Sequence, residues 1–434
     1  LLFGALPAAR HLQPLDGVTL RNGNRSSGDG KERHRIRGAL VVAQVALALV
    51  LLVASGLMIR TFQALVAVQP GFAGPDELQM VRLTIPQAEV EDPERATRTF
   101  EEILNGIVAI PGVTAAALTS SAPLEPFIQG DAILFEGRTY AAGELPALRE
   151  FKFVSPNFFR TVGTPVVAGR DLTWTDIFDR RSVAVISENL AREVWSEPSA
   201  ALGKRMRENP VGPRREIIGV VGDVHDDGVH REAPAIVYWP LQMEHFWGSP
   251  VWAQRSATFV IRSSRTGTES FLDEIRSAVW TVNRNLPLAQ VRTLQDVYAG
   301  SLAQVSFTLV MVAIAGGLAL GLGIVGIYAA LACAVAQRTR EIGIRMALGA
   351  QQSEVRQMFV RYGLRLTIVG VTIGVGVAGF ASPLMSSLLF GVSPVDPVTF
   401  VVVCVALLGV SALASYIPAR RATAIDPLTS LRTE

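Results

Sequence analysis

Only two cysteines occur in 434 residues, Cys333 and Cys404, and both lie inside apolar stretches. No disulfide framework can therefore staple any part that faces water, and such a part must fold on its own core. A nucleotide-binding loop of the Walker A kind is also missing: the two Gly-Lys pairs, Gly30-Lys31 and Gly203-Lys204, lack the following Ser/Thr and the glycine five residues upstream. No G-x-S-x-G elbow and no H-E-x-x-H helix occurs, which removes the commonest readable hydrolase signatures and leaves no candidate catalytic residue. The formal net charge is only +2, with no arginine stripe interleaved with aromatics outside short basic clusters, so nucleic acid is not an expected partner. The first residues, Leu1-Leu-Phe-Gly-Ala-Leu-Pro7, have no basic n-region before them and do not read as a signal peptide. They read as the tail of a preceding segment.

What is abundant is apolar sequence: 49% hydrophobic, 18% charged, mean hydropathy +0.33. Four stretches lack charge for long enough to cross a bilayer, which takes roughly 20 residues: 38–59, 307–336, 366–389 and 398–419. Arg33, Arg35 and Arg37 precede the first, Arg338 and Arg340 follow the second, and Arg420 and Arg421 follow the fourth. The positive-inside rule puts all three clusters in the cytoplasm and residues 60–297 outside. The expected class is thus an α-helical membrane protein with four transmembrane helices and a large extracytoplasmic α+β domain. Residues 307–336 would run about 45 Å as one helix against a hydrocarbon core of about 30 Å, so this span is expected to tilt or to continue as a stalk. Gly317 with Gly321, and Gly370 with Gly374, have the small-xxx-small spacing that lets helices approach, either within the four-helix unit or on a dimer face. With no acid, base or histidine in mid-membrane, an ion or proton path has nothing to run on.

In the outer region, 78–85 alternates as a strand, Asp92-Pro93 starts a helix carrying Phe100, Ile103 and Ile107, and 113–119 is a second strand. A second β-α-β pattern closes the region: strand 258–261, a helix with Phe271 and Ile275, strand 289–293. Two such units at the ends suggest a split α+β subdomain, and the stretch between them, with strands expected at 151–154, 183–187, 217–221 and 235–239, reads as a mostly β insertion. Trp239, Trp247 and Trp252 cluster there, either as ordinary packing or as a partner surface. Asp223, His225, Asp226, Asp227 and His230 invite a metal reading, but they follow an apolar run, lack defined ligand spacing and fit a polar turn, so no metal is assigned.

Between the second and third spans, Arg338-Thr-Arg-Glu-Ile-Gly-Ile-Arg-Met-Ala-Leu-Gly-Ala350 places Arg338, Glu341 and Arg345 at helical spacing, with Ile342 and Met346 on an adjacent face. From the residues alone, this helix fits equally a docking surface for a partner and an interfacial helix whose arginines touch anionic lipid.

The order of one span, a large outer domain, then three spans with this charged link resembles the MacB/FtsX-type permeases of ATP-binding cassette systems. The likeness extends to Gln337 to Ala350, to Tyr416-Ile-Pro-Ala-Arg-Arg-Ala-Thr-Ala-Ile-Asp-Pro427, and to 154–163, Gly169-Arg-Asp171 and 218–223. Pro7-Ala-Ala-Arg10 through Leu20-Arg21 also echoes Pro418-Ala-Arg-Arg421 through Leu431-Arg432, which resembles the duplicated orphan permease branch and makes this chain a second half. The resemblance implies a permease subunit that transmits ATP hydrolysis in a separate cytoplasmic ATPase to the outer domain, for efflux or envelope transport. The ATP would be bound by that partner, so the chain itself needs no cofactor. It implies docking through Arg338, Arg340, Glu341, Ile342, Arg345, Met346 and Leu348. Other implied partners are a second permease half or copy, an extracytoplasmic adaptor and membrane lipid. The expected organisation is a helix stub and basic linker (1–37), first span (38–59), core domain (60–297), permease domain (298–419, coupling helix 337–352) and tail (420–434). The competing function is a membrane-anchored scaffold or regulator of a cell-wall enzyme that transports nothing.

Overall fold

The computed structural model describes residues 26–125, 129–140, 146–337 and 351–423. In chain order the elements begin α1 (Ser26–Ala67), β1 (Leu78–Thr84), α2 (Pro93–Val108), β2 (Val113–Thr119), β3 (Gly130–Ala132), β4 (Leu134–Phe135) and β5 (Leu148–Val154). They continue with α3 (Phe158–Val162), β6 (Val166–Gly169), α4 (Trp174–Phe178), β7 (Val183–Ser187), α5 (Glu188–Trp195), β8 (Arg205–Arg207), β9 (Arg215–Val221) and β10 (Ile236–Pro240). The last are β11 (Gln242–Phe246), β12 (Ser249–Ala253), β13 (Ser256–Ser263), α6 (Glu269–Val282), β14 (Ala289–Thr293), α7 (Leu294–Gln337), α8 (Gln352–Ala381) and α9 (Pro397–Thr423). The chain divides into two compact units, one of residues 61–308 and one of residues 1–60 with 309–434.

The outer unit is organised by a 12-stranded sheet whose main path runs β14-β1-β13-β2-β5-β10-β7-β9-β8-β4. Its first four strands come from the two terminal β-α-β patterns, interleaved so that β13 lies antiparallel between β1 and β2. The strands of the insertion do not make a sheet of their own. They extend the same sheet through one residue pair, Thr119 with Val154, and three short helices intervene between them.

Both faces of this sheet are covered, and the period-2 geometry of strands sorts the apolar side chains between two cores. Val81, Leu83, Phe259, Ile261, Phe153 and Trp239 go to the core beneath α2 and α6, beside Phe100, Ile103, Phe271 and Ile275. Met80, Val260, Val154 and Tyr238 go to the opposite core with Phe158, Phe159 and Leu294. Each fully buried Leu, Val or Phe contributes about 1.5–3 kcal/mol relative to exposure, so these layers dominate the stability of the unit. Helix α2 starts where the sequence predicts: Asp92 accepts from the amides of Glu94 (3.3 Å) and Arg95 (3.1 Å), and Pro93 occupies the first turn.

Antiparallel β11 and β12 form a separate hairpin over this sheet. The tryptophan cluster packs there: Trp239 is fully buried, Trp252 lies 4.0 Å from the Phe153 ring, and Phe246 touches Phe151, Phe153 and Trp239. Arg215 is 1% exposed in this layer, paired with buried Glu208 (3.3 Å), donating to the Glu244 carbonyl (3.0 Å) and lying over Trp239 and Phe246.

The other unit is helical. Among the described residues four helices are long and apolar enough to cross a membrane, over Arg35–Ala67, Val305–Cys333, Gln352–Ser386 and Pro397–Ile417. Helix α7 has 44 residues, about 66 Å at 1.5 Å per residue, far beyond a hydrocarbon core of about 30 Å. The third span ends at Ala381 as an α-helix and finishes as a 3₁₀ turn through Leu388, led by Pro383, which cannot donate to the preceding helix.

Candidate functional site

Within the helical unit the apolar sequence makes helices obligatory, because lipid offers no partner for backbone polar groups. It gives no preference for one helix–helix contact over another, since lipid tails are as apolar as leucine, so close approach through small residues decides. Helix α1 is the common surface: Val41, Val45 and Leu49 are buried against residues of the other helices. A Cβ at Gly370 would lie 2.8 Å from Val45 Cβ and 3.0 Å from the Val42 carbonyl. At Gly374 it would lie 3.0 Å from Leu49 Cβ and 3.1 Å from the Ala46 carbonyl. Helix α8 therefore packs on α1 nearly backbone to backbone. Gly317 and Gly321 of α7 are placed differently, with no atom within 4 Å of an added Cβ. On α7 it is Gly316, at 3.4–3.6 Å from Leu51 and Leu52, and Gly326, against Gln44 and Val41, that meet α1. The spacing rule finds pairs of small residues but not the azimuth of the helix they sit on.

Polar contacts mark both ends of this bundle. At one end Asp396 accepts from the amide (2.8 Å) and hydroxyl (2.6 Å) of Thr399, capping α9, and pairs with Arg60 of α1. The Thr399 bonds and then the Arg60 guanidinium hold the Asp396 carboxyl down at about 2. Neither Asp396 nor Arg60 is singled out by the sequence pattern; the signal was an Asp three residues before a Thr at a helix start. At the other end Arg37 lies 2.6 Å from Cys333 Sγ, joining α1 to α7, and the Arg356 guanidinium of α8 lies 5.3 Å from the Tyr416 ring of α9. These contacts sit on the helices that flank the charged link. The link itself, with Arg338, Arg340, Glu341, Ile342, Arg345, Met346 and Leu348, falls outside the described residues.

The outer-domain motifs that carried the resemblance meet in space. Asp171 accepts from the amides of Leu172 (2.6 Å) and Asn157 (3.1 Å), tying the 169–171 turn to the start of α3. Gly169 pairs with Gly219 of β9, where a side chain would strike the Arg170 or Ile218 backbone. Arg170 grips buried Asp176 with two bonds, 2.7 and 3.0 Å. Burial lifts the Asp171 carboxyl to about 6, against its two amide donors.

The acids of 223–230 are each engaged locally. Asp223 accepts from the Asn189 amide (2.8 Å), Asp226 pairs with buried Lys152 (2.5 Å), Asp227 lies 3.6 Å from Arg231, and His225 Nδ1 is 2.7 Å from the Arg231 carbonyl. Among the described residues no group of three His, Cys, Asp or Glu is arranged to hold a metal ion.

Residues 39–278 match the MacB-like periplasmic core domain family, and residues 313–427 match the FtsX-like permease C-terminal family. The macrolide export ATP-binding/permease protein MacB of Chromobacterium violaceum is 26% identical over 345 residues, 71% of this chain and 49% of that protein. The uncharacterized ABC transporter permease YknZ of Bacillus subtilis is 25% identical over 292 residues, 65% of this chain and 69% of that protein. The chain thus spans about half the length of the MacB relative. The periplasmic region of MacB from Actinobacillus actinomycetemcomitans superposes with a TM-score of 0.33 at 12% identity, over 54% of this chain and 96% of that one.

Proposed function

The chain belongs to the family that joins a MacB-like periplasmic core domain to an FtsX-like permease domain, and from that premise we propose that it is the permease subunit of an ABC-type export system. A separate cytoplasmic ATPase docks on the link between α7 and α8 and moves the outer domain, driving efflux or envelope transport. The observation that carries this reading is α7: one unbroken helix from Leu294 to Gln337, the last described residue before the charged link. A displacement applied at its base moves the helix as a rod, since bending it requires breaking consecutive backbone hydrogen bonds. Relatives named for export, of macrolides in one case and pyoverdine in another, support this reading.

On this reading the chain lies in the bacterial inner membrane with residues 60–297 outside, and Arg338, Arg340, Glu341 and Arg345 are contact charges around apolar Ile342, Met346 and Leu348. The exposed row Phe307, Met311, Ile314, Leu318, Leu322 and Val325 on α7 supports pairing with a second permease half or copy. The echo of the C-terminal motif at residues 7–21 supports the duplicated orphan branch, in which that half precedes this one.

The test is Glu341→Arg and, separately, Arg345→Glu in a reconstituted complex, reading stimulated ATP hydrolysis. A drop of about tenfold in stimulation is expected from reversing a charge at a docked interface; stimulation unchanged by both reversals would sink docking at this link.

A further inference from the structure

We propose that the far edge of the outer domain holds a binding site for a phosphoryl anion. Strands β4 and β8 end the sheet, and the turn after β4 folds over them to leave a cleft of about 170 Å³. Four arginines line it, Arg138, Arg205, Arg207 and Arg214, against one carboxylate, Glu136. Arg205 and Arg207 reach the same side because the residue between them, Met206, is buried and strand side chains alternate.

Among the described residues, with Glu216 opposite Arg205 in the β8–β9 register, part of the arginine charge is left without an ion-paired carboxylate. Arg214 pairs with Glu136 at 2.7 Å. Among the described residues Arg138 and Arg207 donate to neutral carbonyls, of Glu193 (3.1 Å) and Pro210 (2.6 Å). The Arg205 guanidinium has no hydrogen-bond or ion-pair partner among the described residues. Tyr140 also lines the cleft, and its oxygen accepts the Phe135 amide at 3.2 Å.

Charged residues on a terminal strand also keep sheets from pairing edge to edge. That role needs neither a cleft nor four arginines gathered along it with a tyrosine beside them. Guanidinium forks match phosphate oxygens, and a tetrahedral anion can engage several forks where a carboxylate has two oxygens. The volume limits the ligand further. Pockets that bury a drug-sized molecule run to about 300–1,000 Å³, so this cleft suits a single phosphoryl end group. That group could arrive on a lipid headgroup or as a soluble phosphate.

The experiment uses the full chain in phosphatidylcholine nanodiscs, titrated calorimetrically with inorganic phosphate and with acetate at matched ionic strength. A parallel arm measures capture of phosphatidylglycerol vesicles against phosphatidylcholine vesicles. Saturable phosphate binding that weakens about tenfold or more in Arg205→Ala, with less loss in Arg205→Lys, supports a soluble source. Vesicle capture that is lost in Arg205→Ala and competed by phosphate supports a headgroup source. Arg276→Ala, on α6, should change neither. Arg205 is exposed, so its variants should melt as the parent does, and Arg205→Glu provides a second, stronger reversal. Absence of binding to both probes, binding indifferent to Arg205→Ala and Arg205→Glu, or acetate bound as tightly as phosphate overturns the proposal.

Discussion

The outer unit carries charge into its interior, whereas the helical unit brings bare backbones together. In the first, Arg215 with Glu208 and Lys152 with Asp226 are nearly without solvent exposure and are wrapped in aromatic and aliphatic side chains. In the second, close contacts set glycine against valine and leucine at Gly370 and Gly374 and against the uncharged side chains of Gln44 and Ser415 at Gly326 and Gly363, and the Arg60–Asp396 pair sits at a helix end. Water explains the difference. A domain that buries apolar area from water gains enough to hold a few desolvated ion pairs, which then admit only one arrangement. Helices in lipid gain nothing from hiding leucine from leucine, so shape and small residues must choose the neighbour.

The comparison can be broken most forcefully at Arg215. Arg215→Ala leaves Glu208 buried and unpaired and should cost about 3–5 kcal/mol, read from denaturant unfolding of the intact protein by tryptophan fluorescence. Arg215→Met with Glu208→Leu should recover most of that loss. If the single variant loses less than about 1 kcal/mol, the pair does not organise this core.

Next is the glycine seam. Gly370→Ala pushes a methyl to 2.8 Å from Val45 and against the Val42 carbonyl, and should cost about 1–3 kcal/mol in thermal melts in detergent. Gly317→Ala meets nothing within 4 Å and should be neutral or gain up to about 1 kcal/mol from helix propensity. A Gly317→Ala that destabilises and also weakens self-association would instead assign that face to a dimer.

The smallest effect concerns pH. Glu150, on β5 beside Lys152, is raised to about 7, by burial first and then by Asp226 and Asp227, with Lys152 opposing. A carboxyl raised from 4.5 in the folded state binds protons that the unfolded chain has released. Stability from this group is therefore present below about pH 4.5 and is lost as pH rises through 7. Glu150→Gln should flatten the fall in stability between pH 5 and 8 by about 1 kcal/mol, allowing for its partial exposure. An unchanged slope in Glu150→Gln would show that Glu150 does not titrate in this window.

The sequence was most legible where periodicity had one cause. Charge-free runs of sufficient length located four spans, and the Asp92-Pro93 start with apolar residues at helical spacing located α2. Strands expected at 183–187 and 217–221 became β7 and β9 because β-branched runs between turns have few alternatives. Less legible was everything set by distant partners. That Trp239, Trp247 and Trp252 pack together depends on where the β11–β12 hairpin falls. The arginine cleft joins residues 138 and 140 to 205–214, which no local window connects.

By itself, then, the sequence determined which segments leave water, because hydropathy and length are local sums, and it carried the motifs that identify the family. Tertiary structure alone decided that β5 continues the sheet of β2, that Gly370 faces α1 while Gly317 does not, and that four arginines share one cleft. Each of these depends on the azimuth and register at which two remote segments meet, and only packing fixes them.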